Sequence, residues 1–173
     1  MTLTSQGYLD RLNAPTPWST KMMPHHLNMV RSQCRVAASF GGGVATSLAT
    51  VRLSPEAGKE AGLKSVLTEM LSNFVSRPGL TGAHILFTDT PETASRTMEQ
   101  KIRGGDGAAD WILLLSGYDP AVLQSVVDNQ FSSSALHRLG AQEGSTTGRY
   151  QLAFTMTPMD FDIVSRATVR SAS

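Results

Sequence analysis

The chemistry open to this chain rests on His84, Arg52, Thr50, Gln151 and Trp111. An imidazole titrates near neutral pH, so His84 can act as general base, general acid or iron ligand. A guanidinium is a fixed cation with a planar fork of donors. Arg52 therefore suits a carboxylate or an enolate-like oxygen, and its competing use is an ion pair across an interface. Trp111 can stack on a flat ligand or simply fill space. Thr50 and Gln151 add small polar contacts. The reading is a site with His84 as the catalytic residue and Arg52, Trp111, Thr50 and Gln151 as ligand-binding residues. No nucleophile–base–acid set accompanies them, and Glu56, Glu69 and Asp89 stand as single acids.

Other candidates read as structural. His25 and His26 are sequence neighbours, which on a helix point about 100° apart and chelate one ion poorly. Cys34 has Arg31 and Arg35 nearby, but its apparent helical register predicts burial. His137, near a helix end, suits capping. The run Gly41-Gly42-Gly43 lacks GxGxxG and the Lys-Ser/Thr of a phosphate loop, so it reads as a linker. Trp18 with Met22, Met23 and Met29 reads as a docking stripe. No metal site and no cofactor motif emerges. Haem on His84 is the weaker option kept open.

These side chains act together only if strands and helices bring them together. The central stretch is Gly82–Asp89, which alternates as a strand, and Leu48–Leu53, Trp111–Leu115 and Arg149–Met156 follow the same grammar. Between them lie helical stripes: Leu63, Val66, Leu67, Met70, Leu71, Phe74 and Val75 after a start at Ser54-Pro55, then Val122, Leu123, Val126, Val127 and Phe131 after Asp119-Pro120, with a break near Ser132. A short helix starts at Thr90-Pro91. An amphipathic helix runs from Thr16-Pro17 through Trp18 and Leu27 to Cys34 and Val36, kinked or restarted at Pro24 and preceded by a loose arm over residues 1–15. This order predicts an α+β, ferredoxin-like sandwich: a four-stranded antiparallel sheet, helices on one face, plus an N-terminal helical extension. The alternative is a small doubly wound parallel sheet. The expected divisions are 1–43 for arm and helix, 44–158 for the domain and 159–173 for a tail.

Alternation then assigns faces. Ala49, Val51, Leu53, Ala83, Ile85, Phe87, Ile112, Leu114, Tyr150, Leu152 and Phe154 are expected against the helices. Leu48, Thr50, Arg52, His84, Leu86, Thr88, Trp111, Leu113, Leu115, Arg149 and Gln151 are expected on the other side. That second set is too apolar for water and too polar for a core. Covering its large apolar side chains is worth several kcal/mol at roughly 25 cal/mol per Å². A second sheet laid over it, enclosing a partly polar cavity, meets both demands.

Residues 46–157 resemble, in strand order, helix placement and mixed face, the dimeric α+β barrel superfamily, with its antibiotic-biosynthesis-monooxygenase-like, stress-responsive and haem-degrading families. The stretch from Tyr8-Leu9-Asp10-Arg11-Leu12-Asn13 through Pro17-Trp18 and Met23-Pro24-His25 to Arg31–Val36 is similar to the connecting segment of uncharacterised bacterial proteins with two barrel halves. The resemblance implies a homodimer in which a second copy supplies the partner sheet, around a small hydrophobic or aromatic ligand. It implies monooxygenase- or isomerase-like chemistry if the protein is an enzyme. The rival reading is a structural or interaction module whose mixed face is only a dimer interface. Fifteen basic against fourteen acidic residues, net +1 and unclustered, argue against nucleic acid as partner. With one cysteine, no signal-like start and no apolar run near 20 residues, the expectation is a cytoplasmic protein away from the membrane.

Overall fold

The structure, a computed structural model, describes residues 5–25, 32–89 and 110–155. In chain order these form α1 (Gln6–Asn13), α2 (Pro17–Met22) running into a 3-10 turn (Met23–His25), β1 (Cys34–Gly41), β2 (Ser47–Leu53), α3 (Glu60–Phe74), β3 (Leu80–Thr88), β4 (Trp111–Gly117), α4 (Pro120–Gln130), α5 (Ser133–Arg138) and β5 (Thr146–Gln151). The helix read at Thr90, the strand end at Met156, His26, Leu27, Met29 and the tail lie outside the described residues.

All strand pairs are antiparallel, and the order across the sheet is β1-β3-β4-β2-β5. The β2–α3–β3 unit interleaves with β4–α4–α5–β5, which is the ferredoxin-like arrangement and sets the parallel alternative aside. Among the described residues the sheet has five strands, not four. The extra one, β1, lies at the edge beside β3, where the sequence pattern suggests the end of a helix. Its alternation is hidden by an irregularity between Val36 and Ala38. The extra residue breaks the period of two, so the apolar spacing imitates a helix. Cys34 is accordingly a half-buried strand residue opposite Thr88. The glycine run is no free linker: Gly41 has φ +71°, and a Cβ there would lie 2.2 Å from the Thr81 carbonyl oxygen. Only glycine ends the strand at that distance.

The cap at Thr16 is present, its Oγ1 accepting from Ser19 N at 3.1 Å, but α2 stops at Met22 and buries nothing. Trp18 is 67% exposed, and of the helix expected from Thr16 to Val36 the described residues form only α2 and the 3-10 turn at Pro24, whereas α1 lies within the arm expected to be loose. Helix α3 starts at Glu60 rather than at Ser54-Pro55, because Pro55 pairs with Ala141 in an isolated bridge. Its buried stripe is Leu63, Leu67, Leu71 and Phe74. Helix α4 starts as the sequence suggests: Asp119 Oδ1 accepts from Ala121 N and Val122 N at 2.9 and 3.1 Å, with Pro120 in the first turn. Ser132 caps α5 through Ala135 N. These helices meet Ala49, Val51, Ala83, Ile85, Leu113 and Leu115 in one apolar core. Phe74 and Phe131 meet edge to face at 6.4 Å between centroids. Among the described residues no helix is long and apolar enough to cross a membrane.

Candidate functional site

Strand register fixes which side chains share the sheet face turned away from the helices. In the middle row Ser39 lies across from His84, His84 from Leu114, Leu114 from Thr50 and Thr50 from Gly148. One flanking row runs Val36, Leu86, Ile112, Arg52, Thr146, and the other Gly41, Gly82, Ser116, Leu48, Tyr150. Apart from the buried Gly82, the interior members of this open face are half-buried, whereas Val51, Ile85, Leu113 and Leu115 on the helix face are fully buried.

His84, Arg52 and Thr50 therefore lie on the open face, as expected. Trp111 and Gln151 do not. Trp111 pairs with Leu53 and Phe87 on the helix face, is 8% exposed, and stacks on Phe87 at 4.5 Å between centroids. Arg35 and Lys64 approach the same Phe87 ring at 5.9 and 5.5 Å. Leu113 and Leu115 also belong to the core, and Ile112 and Leu114 take their place on the open face. The cause is plain: Trp-Ile-Leu-Leu-Leu is apolar at every position, so hydropathy gives it no phase. Pairing with β2 and β3 sets the phase, and a shift of one residue exchanges the faces. Strand β5 is exchanged in the same way. Arg149 and Gln151 lie opposite Ala49 and Ser47 on the helix side, and Tyr150 is on the open face. Gln151 Oε1 accepts from the buried Ser47 hydroxyl at 2.9 Å, and Arg149 is ion-paired to Asp128. These residues edge a cleft of about 210 Å³ between β5 and α4, floored by Leu123 and Val127.

The open face divides into two polar stations. At one, Ser39 Oγ meets His84 Nδ1 at 2.7 Å, which fixes the ring and leaves Nε2 for other work. Nε2 looks over Gly82. A Cβ on that glycine would lie 3.5 Å from Nε2 and 2.9 Å from Ser116 Oγ, so its absence leaves a small polar notch. At the other station, Arg52 Nε is buried without a hydrogen-bond partner. Beside it, Gly148 lies beneath the hydroxyls of Tyr150 and Thr50, which stand 2.6 and 2.8 Å from where its Cβ would be. Strand β4 separates β3 from β2, so His84 and Thr50 stand about two strand spacings, roughly 10 Å, apart, and Gly148 on β5 lies one spacing further. Ile112, Leu114 and Leu86 form the apolar floor between them.

Ser39, Ser116 and Tyr150 escaped the sequence reading because their neighbours are non-local. The glycines at 82 and 148 gave the one usable signal, since glycine within a strand marks a close approach. His137 sits at the end of α5 with Nδ1 3.0 Å from the Ala141 carbonyl and near Glu56, in keeping with an end-of-helix role. Among the described residues no group of three His, Cys, Asp or Glu side chains could hold a metal ion.

The described residues form an α+β, ferredoxin-like fold with a five-stranded sheet whose face away from α3 and α4 is half-buried. No protein-family model matches the chain, and no curated protein does. Among solved structures it is similar to a heme-degrading enzyme from Listeria monocytogenes, with 12% identity and a TM-score of 0.48 over 69% of this chain and 71% of that one. It is also similar to an anthrone oxidase-like protein, with 13% identity and a TM-score of 0.47 over 72% of this chain and 56% of that one. At that distance neither likeness assigns a ligand or a reaction.

Proposed function

We propose that two copies of the chain pair open face to open face and enclose a small, partly apolar ligand on which His84 acts. The observation that carries this is the composition of the face: Leu48, Leu86, Ile112 and Leu114 form one apolar field between the Ser39–His84 pair and Arg52. Apolar area of that extent is stabilised by cover, and a second copy offers a surface of the same kind. With Nδ1–H donating to Ser39 Oγ, Nε2 carries the lone pair and takes a proton from an acidic C–H or O–H of the ligand. In an isomerase-like reaction the same nitrogen returns it to another atom. A monooxygenase-like reaction would need dioxygen as co-substrate at the carbanion so formed. Replacing His84 by Ala is expected to abolish turnover or weaken ligand binding while the chain stays folded and paired. Unchanged binding and turnover would remove His84 from the site.

The same apolar field supports a second reading, a non-enzymatic interaction module in which facing side chains fill the space between the sheets. A crystal structure of the pair decides: a hollow lined by His84 and Arg52 favours the ligand, and a filled interface favours the module. Haem is tested separately. His84 Nε2 would be the nitrogen to hold the iron, and a Soret band on haem titration, lost in His84→Ala, would turn the reading toward a haem protein. An unchanged spectrum would remove haem.

A further inference from the structure

We infer that the Arg52 station is a seat for a carboxylate on the ligand, formed by Arg52, Thr50 and Tyr150 over Gly148. This rests on the proposal that the open face binds a ligand and names that ligand's class. The first ground is Arg52 itself. Its Nε is hidden from water without an acceptor, an unfavourable state for a cationic donor unless one arrives. Arg149, by contrast, has Asp128, and Arg35 lies over Phe87.

The second ground is what pairing the sheets can bring. None of the paired strand positions on the open face is Asp or Glu. Two copies related by a two-fold axis present the same face to each other, so a second sheet delivers no carboxylate to Arg52. The ion pair across an interface therefore has no supplier among these strand positions, and a ligand acid has a place to go.

The third ground is the pair of hydroxyls. Tyr150 and Thr50 converge over Gly148, and among the described residues neither makes a side-chain hydrogen bond. Both can donate to an oxyanion, with the guanidinium supplying charge and a further N–H. A side chain at 148 would collide with both hydroxyls, so the glycine keeps the seat open. Since His84 on β3 lies two to three strand spacings, about 10–15 Å, from the seat across an apolar floor, the ligand is a flat aromatic acid two to three fused rings long, with its carboxylate at Arg52 and its reactive end toward His84.

The test uses the full chain and two probes of equal shape, 2-naphthoate and 2-naphthamide, titrated by calorimetry and by NMR of the Arg52 Nε–H. The acid is expected to bind about tenfold or more tighter than the amide, as a charge-assisted contact implies. The Nε–H resonance should move with the acid and stay with the amide. Arg52→Gln, which removes an unpartnered donor and so should fold, is expected to erase the preference. Gly148→Ala should weaken the acid and leave the amide unchanged. Equal affinities in the unaltered protein, or a preference that survives in Arg52→Gln, overturn the seat while leaving the open face as a ligand site. Failure of both probes to bind overturns the seat together with the proposal beneath it.

Discussion

The two faces of one sheet differ by a single step along the chain. Leu113 is 0% exposed against α3 and α4, and Leu114, the next residue, is half-buried on the open side. The helix face is settled by packing within the chain, with residues from every layer excluded from water. On the other face the interior side chains are half-buried and make no such core among the described residues. Its polar groups stand in two separate stations rather than in a network.

The largest expected effect sharpens this contrast. Leu113→Ala should cost about 3 kcal/mol in urea unfolding, independent of protein concentration, since a buried cavity forms. Leu114→Ala should cost under about 1 kcal/mol in dilute solution, and more as concentration rises if copies pair. Equal costs at every concentration would mean that the chain itself covers the open face. Trp111→Leu should also destabilise, by roughly 1–3 kcal/mol, because it leaves Phe87 without its stacked partner. A change in ligand affinity without a change in stability would instead restore Trp111 to the ligand. Next comes Asp119→Ala, which should cost about 1 kcal/mol by freeing two amide donors at the start of α4. It leaves the open face intact, so ligand affinity should hold.

The smallest effect is one of pH. Glu56 has its pKa lowered, first by the hydrogen bond from Lys59 and then by the charges of Lys59 and His137, against some desolvation. A carboxyl held lower in the folded state adds stability above its unfolded value, here near 4.5, and loses it as pH falls through the folded value. Lys59→Met should therefore flatten the decline in stability on acidification below about pH 5, with the difference fading at high salt. An unchanged pH profile would show that the contact contributes nothing.

What could be read from the residues follows from how local each signal is. Helix α3 and the Asp119-Pro120 start of α4 are written in periodicity and capping, so they were legible. His84, Arg52 and Thr50 fall on the expected face because β2 and β3 alternate clearly. Strand β4 has no polar residue from Trp111 to Leu115 to mark its phase, so its faces were exchanged, and Trp111 with them. Strand β1 was hidden by its irregularity at Ala37. Ser39 and Tyr150 are brought to the site by pairing with strands far away in sequence, and no local pattern announces such neighbours.

That irregular residue in β1 also bears on assembly. A border strand with a regular ladder of free amides and carbonyls is a template on which a foreign strand can grow. One surplus residue throws the ladder out of step and twists it, so that flank of the sheet is a poor seed for open-ended stacking. Growth by strand addition is discouraged at that flank.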